Sequence, residues 1–388
     1  MLVICSLGSE RRDGWRCMNP IERCPGCGVP QIITAEHSWL NNGDIVQSRN
    51  QSNRMVFMET ENIDPLFKGI EQIIGMPVDH MIITAGRRAY RGYLKSFVPE
   101  AVREQIRKKE LDYELLDAAF RDIGRLNGVG SYEPVDRRYE QDGQDYDTVS
   151  ISEPYSIPLT VSAHVGAIEL LTGFDQGYTY EEKSPGLYIL TTFPSPHSKE
   201  LKERLWFHPH KHVNGDLELE KCPTCGGPEA LSFFQWFPER GIIANKITKR
   251  RMAIQGDVLL DPVFHELEAE LGDAVPRAVV EAQRRFTKSG FYTLDDITDE
   301  GDFRAQLALR GLGNLKRLIM KRKGMQLRVE NVALPLIIVG LAQGFFEIGF
   351  GMDSTSVDWE LSEEGDLEAE VKPWSQEPVE ASRMANLT

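Results

Sequence analysis

Six cysteines stand in this chain of 388 residues, and four of them come as two copies of one short pattern, Cys24-Pro25-Gly26-Cys27-Gly28 and Cys222-Pro223-Thr224-Cys225-Gly226. Two thiolates at this spacing, followed by a glycine that accepts a tight turn, wrap their sulfurs and neighbouring amides around a tetrahedral ion. Each copy supplies two ligands, whereas a closed structural zinc site takes four. The economical reading is one structural Zn2+ per chain, held jointly by Cys24, Cys27, Cys222 and Cys225 about a pseudo-two-fold axis. Such a metal would staple one half to the other, and its loss is expected to uncouple the halves before either unfolds. A thioredoxin-like redox pair is the competing chemistry, but it needs a strand before the motif and a long helix after it, which neither knuckle has. Recruitment of His37 by the first knuckle has no parallel in the second, where Phe234 and Gln235 occupy the matching places.

Other reactive side chains are less organised. His208, His210 and His212 alternate in a linker without a counterpart elsewhere, and read as solvated rather than as a metal site. Arg87-Arg88 and Arg284-Arg285 recur at matched sites near helix ends; they suit either carboxylate clamping or a structural role at the negative end of the helix dipole, and the structural role is favoured. Lys316, Arg317, Lys321, Arg322 and Lys323 form a basic cluster where the first copy has Asn127 to Ser131, which marks a solvated face. Glu181 and Glu182 are adjacent strand residues and point to opposite faces. No nucleophile–histidine–carboxylate order, phosphate-cradling loop or H-E-x-x-H motif occurs, so no catalytic residues are assigned.

The elements around these residues repeat. A shift of about 198 positions superposes the knuckles, and a shift of one fewer brings Met55, Asp64, Pro65, Phe67, Gly75, Arg87 and Arg88 onto Met252, Asp261, Pro262, Phe264, Gly272, Arg284 and Arg285. Further on, Arg121, Gly124 and Leu126 align with Arg310, Gly313 and Leu315, and Gly166 and Glu169 with Gly344 and Glu347. In each copy a helix is expected from Asp64-Pro65 or Asp261-Pro262, with the aspartate as N-cap and Gly75 or Gly272 closing it. A second helix buries Val78, Ile82, Ala85 and Ala89, or Val275, Val279, Ala282 and Phe286. A third runs over Leu115 to Leu126, or Phe303 to Leu315. A proline-led helix (Ile157 to Leu171; Leu334 to Ile348) and two strands follow. The fold class is α+β, two tandem homologous modules of helices on an antiparallel sheet. The boundaries are a leader at 1–19, holding Cys5, Cys17 and a candidate start at Met18, a first module at 20–194, a linker at 195–219, a second module at 220–373 and a tail at 374–388.

Composition narrows the function. The formal net charge of -15 opposes general nucleic-acid binding. No apolar run is long enough to span a bilayer, and the brief Leu2-Val3-Ile4 start gives no signal-peptide core, so no membrane insertion and a cytoplasmic location are expected.

The pattern Pro158-Leu159, Gly166-Ala167-Ile168-Glu169, Tyr180-Glu181 and Gly186-Leu187, with its echo in Pro335-Leu336, Gly344-Phe345-Phe346-Glu347, Trp359-Glu360 and Gly365, resembles the C-terminal half of 4-vinyl reductase-like, hydrocarbon-binding domains. That family is an α+β fold related to haem-NO-binding and vesicle-tethering domains. Its zinc-binding members carry cysteines after the strand glutamate; this chain has none at Lys183 to Tyr188 or Glu363 to Leu367. The resemblance implies a pocket for a small hydrophobic or aromatic ligand between helices and sheet. The resulting expectation is a binding or sensory protein rather than an enzyme, with a protein partner for its output. The rival is an enzyme or accessory subunit of aromatic, hydrocarbon or tetrapyrrole metabolism, with a deep pocket lined by His80, Arg87 or Tyr90.

Overall fold

The computed structural model describes residues 21–197, 212–256, 260–293 and 299–374. Cys5, Cys17, Met18, His208, His210 and all but the first residue of the tail lie outside the described residues. Helices packed on antiparallel sheets make the fold α+β.

After the first knuckle come α1 (Gln31–Glu36), β1 (His37–Trp39), β2 (Ile45–Gln47), β3 (Asn50–Glu59), α2 (Ile63–Ile74), α3 (Asp79–Lys95), α4 (Glu100–Arg107), α5 (Glu114–Leu126), β4 (Ser131–Arg138), β5 (Tyr146–Ser152), α6 (Ile157–Thr172), β6 (Gln176–Ser184) and β7 (Leu187–Pro194). After the second come a 3-10 turn (Glu229–Phe233), β8 (Phe234–Phe237), β9 (Ile242–Asn245), β10 (Arg251–Gly256), α7 (Asp261–Leu271), α8 (Val275–Phe286), α9 (Glu300–Leu309), β11 (Asn314–Lys321), β12 (Gly324–Glu330), α10 (Pro335–Phe350), β13 (Thr355–Leu361) and β14 (Leu367–Pro373). Each half builds one four-stranded sheet, ordered β4-β5-β7-β6 or β11-β12-β14-β13.

A third sheet, ordered β1-β2-β3-β10-β9-β8, takes three strands from each half. At its centre β3 and β10 run antiparallel with Phe57 opposite Ile254, Met55 opposite Gly256 and Glu59 opposite Met252. Phe57 and Ile254 are positions that the sequence alignment matches, and in this sheet they face each other directly. Arg54 through Glu59 are all buried, because both faces of β3 are covered. Val56 and Met58 face a core made with α2, α7, α8 and α10, and Met55 and Phe57 face a second one roofed by Val29, Ile33 and Leu231 of the knuckle segments.

The halves are also exchanged. α2 packs along α8 and α3 along α7, with Gly69 against Ala282 and Arg88 3.5 Å from Glu266. Arg54 donates to the carbonyls of Gly311 (3.1 Å), Asn331 (2.6 Å) and Val332 (3.1 Å) and pairs at 2.7 Å with the buried Asp44. In mirror fashion Arg251 donates to the carbonyls of Gly128, Glu153 and Pro154. The N–H of Phe57 donates to Arg310 O at 2.9 Å and that of Ile254 to Asn127 O at 2.8 Å.

These contacts correct the sequence alignment. Gly128 lies against Met252 and Ile243 as Gly311 lies against Met55 and Ile45, so Gly128 and Gly130 correspond to Gly311 and Gly313. The sequence register slipped because α5 has 13 residues and α9 has 10. The third helix of the second copy ends at Leu309, and Leu315 belongs to β11. The first-turn aspartates are corrected too. Helix α2 starts at Ile63 without a side-chain cap, and the Asp64 carboxylate accepts a long 3.5 Å bond from Ile157 N at the start of α6. Gly75 closes α2 at φ 84°, as expected.

Gly241 backs onto the carbonyl of Gly130, where a Cβ would fall 2.1 Å from the oxygen. Gly241→Ala is expected to destabilise the chain by about 1–3 kcal/mol in urea unfolding. Gly92→Ala, with open space around its Cβ on α3, is expected to stabilise it by about 0.5–1 kcal/mol. Equal midpoints for the two variants would refute the close inter-half contact.

Candidate metal centre

Each knuckle is a closed turn. Gly28 N donates to Cys24 O at 2.8 Å and Gly226 N to Cys222 O at 2.9 Å, while Cys24 N and Cys222 N donate to Val29 O and Gly227 O, each at 2.8 Å. Gly28 and Gly226 take φ of 77° and 74°, which a side chain would disfavour. The turns meet closely: a Cβ on Gly26 would lie 2.7 Å from Thr224 Oγ1 and 3.1 Å from Cys222 Sγ. Arg23 ties the first turn to the other half by donating to Trp236 O at 2.9 Å in β8.

All four sulfurs lie within 4.8 Å of one another and can hold a metal ion. Cys24 and Cys222 Sγ are 3.8 Å apart, and Cys27 and Cys225 Sγ 3.6 Å. A tetrahedral site with metal–sulfur bonds of about 2.3 Å has edges of about 3.8 Å, whereas a disulfide needs about 2.05 Å. Each of these pairs joins residues 198 positions apart, one from each knuckle, as Phe57 and Ile254 face each other in the sheet. Electrostatics divides the sulfurs by depth in the turn. The amide of Cys27 holds the Cys24 thiol below its ordinary range, and the amides of Cys225 and Thr224 hold Cys222 at about 6. Burial pushes Cys27 up to about 12 and raises Cys225 as well. A cation supplies the charge that would keep the second pair deprotonated.

The other sequence candidates lie apart. His37 is buried, and its Nδ1 is 3.0 Å from Ile33 O rather than beside the sulfurs. His212 places Nδ1 2.7 Å from Asp44 and anchors the linker. Arg87 is buried beside Glu169 (3.7 Å) and donates to Gln176 O (3.1 Å); Arg284 meets Glu347 at 2.6 Å. The carboxylate partners come from α6 and α10, so these arginines join helices inside each half; Arg284 stands in the last turn of α8 as expected, but Arg87 lies midway along α3, away from the helix end the sequence favoured. His80 is exposed and meets Tyr178 OH at 3.2 Å; none of His80, Arg87 and Tyr90 lines the cleft beside Asp147.

Sequence reasoning missed a polar cluster in the first half. A shallow surface cleft, with room for little more than a water molecule, is lined by Tyr113, Tyr139, Tyr146, Phe174, Asp147 and Gln176 among others. At its base Tyr113 OH donates to Asp147 Oδ2 at 2.9 Å, and His164 Nε2 lies 3.1 Å from Asp147 Oδ1. Burial works to raise the Asp147 carboxyl, but His164 and Tyr113 together hold it below its usual range, and burial lifts the Tyr113 hydroxyl far above its own. The signal was present as a charged residue at an inward position of a strand whose neighbours Val149 and Ile151 are core.

No family model matches the chain, and no curated protein matches it. Among solved structures it is similar to a mutant of the T. Tengcongensis H-NOX (15% identity, TM-score 0.22, 31% of this chain and 74% of that one). It is also similar to a Cs H-NOX mutant carrying the unnatural amino acid 4-cyano-L-phenylalanine (16% identity, TM-score 0.23, 36% and 81%). No helix among the described residues is long and apolar enough to cross a membrane.

Two expectations follow. Protein purified from its source carries one metal per chain by elemental analysis, and Cys24→Ser and Cys222→Ser lose it alike; two metals per chain would sink the shared site. Burial lowers His37 to about 4 from 6.5, so the unfolded chain binds the extra proton between these values. Its contribution is complete above pH 6.5 and is lost as pH falls towards 4. His37→Gln should flatten that acid limb by up to about 1.4 kcal/mol per pH unit, measured by urea unfolding at constant metal occupancy.

Proposed function

We propose that this chain is a zinc-stapled binding protein of sensory type, taking a small aromatic or hydrophobic molecule in its first half. The metal role rests on the donor set. Four thiolates close the coordination sphere of Zn2+ and leave no position for water or substrate, so the ion would be structural. The halves are proposed to be residues 20–194 and 220–373, neither completing its packing without the other.

The ligand role rests on divergence between the two interiors. Where the first half has Asp147 on β5 and His164 on α6, the second has Met325 on β12 and Ala342 on α10, which complete an apolar core. The ring-lined cleft with buried hydrogen-bonding groups thus belongs to one half, while the other serves as scaffold. A ring entering here would have to part these side chains, since the closed cleft has room for little more than a water, and its polar substituent would meet the groups at the base. The resemblance to vinyl-reductase-like domains agrees with this reading.

A second reading, an enzyme or accessory subunit acting on aromatic, hydrocarbon or tetrapyrrole compounds, draws on the Tyr113–Asp147–His164 cluster. Both Asp147 oxygens are already engaged, and Tyr113 is held protonated, so the cluster suits orientation better than proton transfer. Native mass spectrometry of protein from its source, followed by thermal unfolding with added phenol, separates the readings. Binding without turnover, with Tm raised by a few degrees at a ligand excess of about 100 times Kd and the rise reduced in Phe174→Ala, supports the sensor. Conversion of the added compound supports the enzyme, and no bound organic molecule with no shift counts against both.

A further inference from the structure

The four sulfurs differ in access. Cys24 and Cys222 are 2% and 3% exposed. Cys27 and Cys225 are half-buried, and Cys225 is the most open ligand of the set. The Cys225 sulfur lies 3.6 Å from that of Cys27, contributed by the other half. An oxidant approaching from solvent therefore meets Cys225 first, and behind it the Cys27 sulfur of the other half, while Cys24 and Cys222 stay beneath the turns.

We propose that Cys27 and Cys225 form a peroxide-sensitive thiol switch superimposed on the metal staple, which rests on the metal reading above. The Cys225 thiolate attacks one oxygen of a hydroperoxide, breaking the O–O bond, and becomes a sulfenic acid while the other oxygen takes a proton from solvent and leaves as water or alcohol. The Cys27 thiolate then attacks that sulfur. A disulfide forms, the sulfenic oxygen takes a second solvent proton and leaves as water, and the two electrons lost by the cysteines reside in the reduced peroxide. Two ligands no longer retain a divalent ion, so the metal departs and Cys24 and Cys222 take up protons. The halves stay joined at this point, since a covalent link replaces a coordinate one. What changes is the roof of the second core. Val29, Ile33 and Leu231, buried against Phe57 and Ile254, lose the ion that holds their turns in place, so oxidation exposes an apolar surface.

Full-length metal-loaded protein titrated with hydrogen peroxide tests this, with release followed by a chromogenic chelator and disulfides mapped on unreduced peptides. The expected result is one disulfide per metal released, joining the Cys27 peptide to the Cys225 peptide, with Cys24 and Cys222 left as thiols and the whole reversed by dithiothreitol and Zn2+. Iodoacetamide in limited amount should alkylate Cys225 first in the unoxidised protein. Retention of metal during peroxide consumption, disulfides within a knuckle, or sulfinic acids without a disulfide would each overturn the switch. Metal content before oxidant is added keeps the two readings separate. A metal-free preparation counts against the structural ion alone, and the mapped disulfide still decides which sulfurs react.

Discussion

The antiparallel pairing of β3 with β10 is the constraint on which the rest depends. Phe57 lies opposite its own counterpart Ile254, which fixes a two-fold relation between strands that are far apart in the chain. A slip of one residue would turn Val56 and Met58 away from the helices and Phe57 away from the knuckles. With the register fixed, the flanking strands add outward on both sides. The knuckles then converge over one face, and the helices of each half fall against those of the other on the opposite face.

This changes what the metal is for. An ion that merely tied two finished modules together would let them part when removed. Here the halves share a sheet, a helical core and the Arg54 and Arg251 clamps, none of which involves a cysteine. A bound ion would instead secure a small roof, with Val29, Ile33 and Leu231 of the knuckle segments over one sheet face. Its loss would therefore be a local event at the surface of the molecule.

Much of this was legible in the residues. The knuckles, the apolar helix faces, the terminal glycines and the proline-led central helices all have local causes, spacing or backbone freedom, that a sequence displays. Arg54 and Arg251 were not legible, since an arginine in an apolar strand states only that acceptors must exist and not that they lie in the other half. The exchange of helices was hidden for the same reason, because an amphipathic face does not name its partner. The polar cluster at Asp147 and His164 was not legible because the matching positions of the second half, Met325 and Ala342, are apolar. The glycine register failed where helix lengths differ, as Gly124 was paired with Gly313 in place of Gly130.

The Arg54 clamp also sets an order of events during synthesis. Its acceptor at Asn331 lies 277 residues further along the chain. At about 5–20 residues per second a ribosome needs tens of seconds to cover that distance. For that interval the nascent first half presents an unpaired β3 edge, a guanidinium and carboxylate awaiting enclosure, and two cysteines without their complement. Completion from the C-terminal side leaves that strand edge open to wrong pairing, and gives the two knuckle thiols Cys24 and Cys27 a window in which to meet a wrong metal.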